Sequence, residues 1–271
     1  MNPPIVLLTD FGMRDHYVAS MKGVILSIHP EAQIVDLTHE VEAQSIQQAA
    51  LLLENSFSYF PAGTIFVCVV DPEVGTKRKI LCVKTKKYYF LAPDNGLLTL
   101  ALKDQKGVVI HSVENPKFFL NQTPSSTFHG RDIFSPVAAR LAQKDIFNAL
   151  GPKIVKMRLL DLPRIKKTKK GLQGEILYFD HFGNAITNIK EQDASPEFWK
   201  KAKAQVKELQ LGKLHLNYTS RGTGLLTALL NSSSRLEIAV PGGSAKETAG
   251  LEVGDTITVH CEESRRDDEA I

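Results

Sequence analysis

Three clusters of ionisable and aromatic residues lie where apolar runs of the sequence end. They are Thr9-Asp10-Phe11-Gly12, the segment from Asp71 to Arg78, and the segment from Thr127 to Asp132. Together they supply carboxylates, a guanidinium that is always charged and an imidazole. These are the groups that proteins use to transfer protons and to hold a polar reactant. The composition of the clusters therefore predicts an enzyme.

Each of these charged residues has a chemical and a structural interpretation. Asp10 follows the first apolar run, where a carboxylate can accept hydrogen bonds from both hydroxyls of a ribose or can cap the next helix. A loop can return Arg78 to Asp71 and form an ion pair, which is as often structural as functional. His129 precedes Gly130, which allows close backbone approach, although a lone loop histidine often only satisfies backbone groups.

A fourth cluster, Asp180-His181-Phe182-Gly183-Asn184, has residue types suited to a nucleoside. Phe182 offers a stacking face, as Phe128 does in the third cluster, and an asparagine amide can pair with the donor and acceptor edge of adenine. The same letters also describe an ordinary Phe-Gly-Asn turn. The segments Asn231-Ser232 and Leu236-Glu237-Ile238-Ala239-Val240 could supply further polar and backbone contacts. The residues alone leave both interpretations open.

Common cofactor and metal motifs are absent from the sequence. It has no GxxxxGK[ST] loop, no GxGxxG after the first strand, no HExxH and no GxSxG, and its three cysteines form no CxxC pair. The net charge of +3 is too small to predict binding to nucleic acid or to an anionic membrane. No signal peptide and no apolar run of about 18 residues is evident. We therefore expect no metal, no nucleic-acid or membrane partner, and a cytoplasmic location.

Alternating strand and helix patterns position the first three clusters. Apolar runs at 5–9, 33–37 and 64–70 predict strands, helical spacing predicts helices at 15–28, 45–53 and 131–143, and 79–83 and 88–91 resemble a strand pair. This alternation predicts an α/β domain with a mostly parallel sheet over residues 1–161. Ligands of such sheets bind beyond the carboxyl ends of the strands, where Asp10 and Asp71 are expected.

The sequence changes character after Gly151-Pro152. Residues 162–171 include the basic run from Lys166 to Lys170, which we interpret as a solvated linker in preference to a nucleic-acid patch. Closely spaced strands are predicted at 175–179, 185–189, 213–218, 235–240 and 256–260, with one helix at 194–203. A smaller antiparallel β-barrel is therefore expected over residues 172–271, with a charged and frayed end at 262–271.

Taken in order, the four clusters resemble the S-adenosyl-L-methionine (SAM) hydroxide adenosyltransferase family, which is related to the SAM-dependent fluorinase and chlorinase. The resemblance runs from about Ile5 to Val259 and includes the segments Ala92 to Thr99 and Leu236 to Ala239. It implies an N-terminal α/β domain, a C-terminal β-barrel and a homotrimer with active sites between neighbouring subunits. It also implies that SAM is the substrate, that water converts it to adenosine and L-methionine, and that no cofactor is needed.

The resemblance assigns roles to individual residues. The catalytic set of the family falls on Asp71, Arg78 and His129. In the halogenases the positions that match Asp71 and His129 look like tyrosine, so this chain resembles the water-using branch. The implied substrate-binding residues are Asp10 for the ribose, Phe128, Phe182, Asn184 and Tyr218 for adenosine, Asp180 and Ser232 near the methionine end, and Val240 through its backbone.

Two departures from the family pattern and three alternatives qualify this hypothesis. Glu73 replaces a usual glycine, which bears on the conformation of the Asp71 loop, and Ser234-Arg235 occupy a turn that normally contains glycine. The alternatives are a SAM-dependent halogenase, a non-catalytic adenosine- or SAM-binding module, and an RNA-associated protein that uses its lysine run. Within the proposed reaction, Asp71 and His129 are both candidates for the group that accepts the proton of water.

Overall fold

Seven strands form the sheet of the first of two units, which extends to Asp161. The computed structural model describes residues 2–169 and 171–261. The strands are β1 (Ile5–Thr9), β2 (Ile34–Thr38), β3 (Ile65–Val69), β4 (Ile80–Lys84), β5 (Tyr89–Pro93), β6 (Val109–Ser112) and β7 (Lys153–Ile154). The α-helices are α1 (Tyr17–Ile28), α2 (Ile46–Ser56), α3 (Thr99–Leu102) and α4 (Ser135–Gln143), and a π-helical turn covers Gly130–Phe134.

The sheet is mixed, so the expectation of a mostly parallel sheet is not confirmed. Its order is β2-β1-β3-β5-β4-β6-β7. The pairs β1–β2, β1–β3 and β3–β5 are parallel, whereas β4–β5, β4–β6 and β6–β7 are antiparallel. The cause is local. The Thr85 N–H donates to the Tyr88 carbonyl at 2.9 Å in a tight turn between β4 and β5, and parallel neighbours need a much longer crossover.

Both faces of this sheet are covered. Ile5, Leu7 and Val67 pack with residues of α1 and α4 on one face, whereas Val6 and Leu8 pack with residues of α2 on the other. Every residue of β1 and β3 is buried. A strand buried on both faces needs a continuous apolar run instead of an alternating one, which explains why these two strands are evident in the sequence.

The parallel pairing of β1 and β3 positions the first two clusters. Thr9 lies in register with Val69, so the chain leaves both strands at the same edge of the sheet. Asp10 follows directly, and Asp71 follows after one further residue. The two carboxylates are therefore brought to one edge by backbone pairing.

Among the described residues, eight strands form the sheet of the second unit, which begins at Leu162. They are β8 (Lys166–Thr168), β9 (Gly171–Phe179), β10 (Ala185–Lys190), β11 (Ala202–Val206), β12 (Leu209–Lys213), β13 (Thr227–Leu230), β14 (Arg235–Ala239) and β15 (Thr256–Cys261). The helices are α5 (Pro196–Lys201) and α6 (Ala245–Ala249). The main order is β12-β11-β15-β9-β10-β14-β13, with β8 on β9, and all these pairs are antiparallel. The His215 N–H donates to the Ala228 carbonyl at 2.8 Å, so the ends of the sheet meet and the unit is nearly a barrel.

Some boundaries expected in the second unit are wrong. The apolar alternation at 213–218 does not form a strand, because β12 ends at Lys213 and Leu216 is 97% exposed. The helix expected at 194–203 stops at Lys201, where the chain enters β11. Residues Lys166–Thr168 pair with β9, so the segment interpreted as a linker contains a strand. The expectations for Lys170 and for 262–271 lie outside the described residues.

Candidate active site

The loop after β3 returns the chain from Asp71 to Arg78. The Val74 N–H donates to the Asp71 carbonyl at 3.2 Å and the Thr76 N–H to the Glu73 carbonyl at 3.1 Å. Gly75 has φ of +79°, and a Cβ there would lie 2.1 Å from the Ser126 carbonyl oxygen. Only glycine allows this approach, which brings the loop against the segment that precedes His129.

Glu73 fits this loop although it replaces a usual glycine. Its φ lies outside the left-handed region, so the loop does not require glycine there. The Glu73 carboxylate forms an ion pair with Arg158 at 2.7 Å. Because both side chains are largely exposed, the pair contributes little to stability.

Asp71, Arg78 and His129 form one hydrogen-bonded cluster. Arg78 Nε lies 3.0 Å from Asp71 Oδ1 and 2.7 Å from Oδ2, and Arg78 Nη2 lies 2.5 Å from Oδ2. The same Nη2 lies 2.7 Å from His129 Nδ1. The side chains of Arg78 and Asp71 are only 2% and 4% exposed. The structure thus joins the Asp71–Arg78 pair to His129, which lies 51 residues after Arg78 in the sequence.

This geometry fixes the protonation of His129. A guanidinium can only donate hydrogen bonds, so Nδ1 must accept from Arg78 and the imidazole proton lies on Nε2. Burial lowers the pKa of His129, and the positive charge of Arg78 lowers it further, while Asp71 and Asp132 partly oppose this shift. The imidazole is therefore held in its neutral form.

A π-helical turn after His129 fixes its position. Such turns are uncommon and are often found at functional sites. Asp132 in this turn accepts a hydrogen bond from the Ser125 N–H at 2.8 Å and pairs with Arg131 at 2.6 Å. Gly130 lies so close to Met21 that a Cβ would be 3.1 Å from its sulfur. The start of the turn is therefore packed directly onto α1.

A cavity of about 400 Å³ opens beside the cluster. Asp71 and His129 line it, whereas the buried Arg78 side chain lies behind them. One wall is aromatic, formed by Phe11, Tyr17 and Phe128, whose ring centroids are 5.1–6.0 Å apart. Phe11 and Tyr17 were not among the predicted site residues, because isolated aromatic residues near an apolar run do not stand out from core residues.

Asp10 lies at the same cavity and is held by a backbone donor. The Gln44 N–H donates to Asp10 Oδ2 at 2.8 Å, and Gln44 itself has a φ of 66°. A non-glycine residue in this region is uncommon. No side-chain pattern could indicate Gln44, because it contributes its backbone N–H.

Asp180 organises a second cluster in the second unit. Its Oδ1 accepts hydrogen bonds from the Phe182 and Asn184 N–H groups, and its Oδ2 accepts from the Asn184 side-chain amide, each at 2.9 Å. These bonds close the turn between β9 and β10. Phe182, at the tip of the turn, is 71% exposed, which leaves its ring available for stacking.

Glu237 is a buried acid of this unit that was not among the predicted site residues. It lies on β14 and is 2% exposed. Oε2 accepts from the Asn231 amide at 2.9 Å, whereas Oε1 has no hydrogen-bond partner in the described structure. Burial raises the pKa of Glu237, and the negative charge of Asp180 adds to this, while hydrogen bonds from Asn231 and Tyr218 partly oppose it. The available signal was an acid in a strand whose other residues suit a core.

The remaining predicted residues occupy nearby turns of the second unit. Burial and the charges of Glu237 and Asp180 raise the pKa of Tyr218 to about 12. Ser232 is exposed in the turn between β13 and β14. Val240 follows β14, and its carbonyl accepts from the Gly243 N–H at 2.9 Å. Among residues 2–169 and 171–261, no group of three or more histidine, cysteine or acidic side chains is arranged to hold a metal ion.

Comparisons with known proteins agree on one family. Residues 5–151 match the model of the SAM hydroxide adenosyltransferase N-terminal domain, and residues 174–258 match that of the C-terminal domain. The chain is 36% identical to an (R)-S-adenosyl-L-methionine hydrolase of Thermus thermophilus, covering 93% of this chain and 97% of that protein. A fluorinase of Actinoplanes sp. is 29% identical, covering 71% and 73% of the two chains. An uncharacterised conserved protein from Thermotoga maritima has a crystal structure with a TM-score of 0.86 at 37% identity, covering 94% of this chain and 99% of that one.

Proposed function

Because the chain belongs to the SAM hydroxide adenosyltransferase family, we propose that it hydrolyses SAM to adenosine and L-methionine. The observation that carries the proposal is the buried contact of Arg78 with both Asp71 and His129 at one wall of a cavity. The same cavity also has an aromatic wall, which offers a surface on which a nucleoside can stack. The names of the curated relatives support the (R) configuration at sulfur for the substrate.

The proposed reaction is a displacement at the ribose C5′. The oxygen of water forms a bond to C5′ while the C5′–S bond breaks and its electron pair goes to sulfur, so a sulfonium becomes a neutral thioether. The water loses one proton. A neutral leaving group requires neither protonation nor a Lewis acid, so we propose that no cofactor takes part. Positive charge on sulfur is dispersed at the transition state, and an apolar aromatic wall favours that change over the charged ground state.

We assign distinct roles to the three clustered residues. Asp71 accepts the proton of water, because His129 Nδ1 is already engaged by Arg78. Its Oδ1 receives a single, longer contact from Arg78, while Oδ2 receives two, so Oδ1 has the greater capacity to accept. His129 donates from Nε2 to orient the water. Arg78 holds both groups in place, and positioning of this kind lowers the barrier substantially.

We propose substrate-binding roles for residues of each unit, taken separately. Asp10 binds the ribose hydroxyls and Phe128 stacks on the nucleoside, while Asn184, Phe182, Tyr218 and Val240 contact adenosine. Asp180, Ser232 and the unpredicted Glu237 bind the methionine end, where two carboxylates suit an ammonium group. The family resemblance supports a homotrimer with sites between neighbouring subunits, which sedimentation equilibrium would test through the mass of the particle.

The direct test is incubation of the purified protein with each SAM diastereomer, followed by chromatography of the products. We expect equal amounts of adenosine and methionine, formed faster from the (R) form. A folded protein that binds SAM without consuming it would be a binding module instead. A 5′-halo-adenosine formed in the presence of chloride or fluoride would make it a halogenase.

The cellular location is also a proposal. Cys68, Cys82 and Cys261 are free thiols, and disulfide-free cysteines suit a reducing compartment. We therefore propose a cytoplasmic location, which fractionation would test. Across the described residues, no helix combines the length and apolarity needed to cross a bilayer.

A further inference from the structure

The segment from His39 to Gln44 holds the turn that carries Asp10 at several points. The His39 carbonyl accepts a hydrogen bond from the Gly12 N–H at 2.8 Å. The His39 side chain contacts the Thr9 hydroxyl, with Nδ1 2.8 Å from Oγ1. The Gln44 N–H donates to the Asp10 carboxylate. His39 therefore contacts the chain on both sides of Asp10, through its side chain before it and through its backbone after it.

The polar contacts of His39 continue outward as a chain with a fixed direction. Asp36 Oδ1 lies 3.0 Å from His39 Nε2, and an ionised carboxylate only accepts, so Nε2 carries the proton. His39 Nδ1 must then accept from the Thr9 hydroxyl. The Thr9 oxygen in turn accepts from the Phe11 N–H at 3.2 Å. Every donor in this series of hydrogen bonds has one acceptor.

Two further observations support an ordered chain. Thr9 is fully buried and His39 is 3% exposed, so water cannot easily replace a lost contact. Lys22 Nζ lies 2.6 Å from Asp36 Oδ2. Burial alone would raise the pKa of Asp36, but hydrogen bonds from Lys22 and His39 more than offset this and lower it. Asp36 therefore stays ionised and continues to accept the hydrogen bond from His39 Nε2.

We propose that His39, oriented by Asp36 and Lys22, is a positioning residue for the ribose-binding carboxylate of Asp10. The inference rests on the proposed function. Through the Thr9 hydroxyl and the Gly12 N–H, His39 selects one conformation of the Thr9–Gly12 turn, and that conformation aims Asp10 into the cavity. A ribose contact is made equally in the ground and transition states, so its loss raises KM and leaves kcat nearly unchanged.

The chain offers a matched pair of buried threonines for the test. Thr9→Val removes the hydroxyl that links His39 to the turn. Thr64→Val is the control, because Thr64 is also fully buried and its hydroxyl donates to the Pro61 carbonyl at 2.7 Å. Thr64 precedes the first residue of β3, whereas Asp10 follows the last residue of β1, so the two lie at opposite ends of these parallel strands. The two changes remove the same group with similar burial at opposite ends of parallel strands.

We expect Thr9→Val to raise the KM for SAM and the Kd for adenosine about tenfold, with kcat within about twofold of the wild type. Thr64→Val should leave all three unchanged. Thr9→Ser, which restores the hydroxyl, should restore both constants. His39→Leu should match Thr9→Val, and the double variant should be no worse than either, because both act through one contact. If His39→Leu does not fold, His39→Asn serves, since its amide oxygen can replace Nδ1 and keep KM close to normal.

The outcomes separate the inference from the proposed function. Wild-type turnover of SAM together with unchanged KM and Kd in Thr9→Val would overturn the positioning role alone. An equal rise in KM in Thr64→Val would also overturn it, because the effect would then be a general loss of stability. A wild-type protein that neither hydrolyses SAM nor binds adenosine would overturn the proposed function, and this inference with it.

Discussion

The two acidic clusters of this protein differ in how completely their charges are neutralised. In the first unit, four hydrogen bonds join the Asp71 carboxylate, the Arg78 guanidinium and the His129 imidazole. In the second unit, Glu237 is also buried, but its Oε1 has no hydrogen-bond partner in the described structure. The negative charge of Asp180 lies near it. Every charged group of the first cluster is paired, whereas Glu237 Oε1 in the second cluster has no hydrogen-bond partner among the described residues.

This difference indicates that the first cluster contributes to catalysis and the second to substrate binding. A preorganised cluster requires no rearrangement at the moment of reaction, which is what lowers a barrier. A buried carboxylate with an unpaired oxygen destabilises the free protein, and a cationic ligand that pairs with it recovers that free energy as affinity. We therefore expect changes in the first cluster to lower kcat and changes in the second to raise KM.

Asp71→Asn tests the catalytic side of this difference and should lower kcat more than any other change considered. The amide keeps the shape of the side chain but cannot take the proton of water, so kcat should fall by about 10²–10⁴-fold, while the KM for SAM changes little. Steady-state kinetics would measure both. Glu73→Gln on the same loop is the control, because its exposed ion pair with Arg158 should be dispensable. Equal losses of kcat and affinity in Asp71→Asn would contradict a catalytic role and indicate a binding role.

Glu237→Gln tests the other side of the contrast and should change two quantities in opposite directions. The KM for SAM should rise by about 10- to 100-fold, because a charge-assisted hydrogen bond to the ammonium is lost. The free energy of unfolding of the ligand-free protein should rise by about 1 kcal/mol, because a buried charge is removed.

Denaturant titration and steady-state kinetics on the same preparation would measure both effects. Glu247→Gln is the control, since Glu247 is an exposed acid of the same unit and should change neither. A Glu237→Gln protein that is less stable and has normal KM would show that Glu237 is a structural residue, and the contrast between the clusters would not hold.

The sequence predicted the first cluster better than the second for a physical reason. β1 and β3 are buried on both faces, so their apolar runs are continuous and end sharply at the polar residues that follow. That pattern indicated where Asp10 and Asp71 lie. In the second unit, β11 and part of β9 alternate between buried and partly exposed residues, and several strand pairs shift register. Such strands give weaker sequence patterns, and the exposed Leu216 was taken for a strand residue. Most of the misplaced boundaries therefore fall there.

Other features depend on contacts that a one-dimensional pattern does not contain. The approach of Gly75 to Ser126 brings Arg78 to His129, and nothing near Gly75 in sequence indicates this partner. The mixed sheet depends on a short turn at Thr85. The sequence pattern indicated the strand pair on either side of this turn, but not that the pair makes half of the sheet antiparallel. Glu237 was quoted within its segment, but only its burial distinguishes it from a surface acid.

The neutral state of His129 gives the first cluster a dependence on pH. Above about pH 6.5, the ordinary value of a histidine, the imidazole is neutral in both the folded and unfolded protein. Because burial and Arg78 lower its pKa in the folded state, the unfolded chain binds the proton first as pH falls. The free energy of unfolding contributed by this group therefore decreases from about pH 6.5 down to the lowered folded pKa, and is constant below it.

Activity should follow the protonation of His129 in the folded protein, whose pKa is lowered, and should therefore be retained somewhat below pH 6.5. It is then lost when His129 Nδ1 is protonated and can no longer accept from Arg78. A pH profile of kcat and of thermal unfolding would measure the two effects. The acid-side loss of stability should be smaller in His129→Asn and unchanged in His181→Asn, which removes an exposed imidazole. A profile of His129→Asn identical to that of the wild type would remove His129 from the explanation.

Ser234→Gly tests whether backbone strain contributes to the second cluster, and it should change stability by only a small amount. Ser234 lies in the β13–β14 turn with φ of 54°, beside Asn231, whose amide holds Glu237. A side chain in the left-handed region is unfavourable by about 1–2 kcal/mol, and the extra chain entropy of glycine offsets part of the gain. We expect the free energy of unfolding to rise by about 0.5–1 kcal/mol. Ser233→Gly, at a position outside the left-handed region, should instead lower it.

The kinetics of Ser234→Gly decide what the strain does. If the turn only connects two strands, kcat and KM stay unchanged while stability rises. If KM rises as well, the strained turn helps to hold Asn231 against Glu237, and relaxing it loosens the methionine end of the site. The second outcome would make the second cluster strained as well as unpaired, which is the state that a binding site completed by its ligand should have.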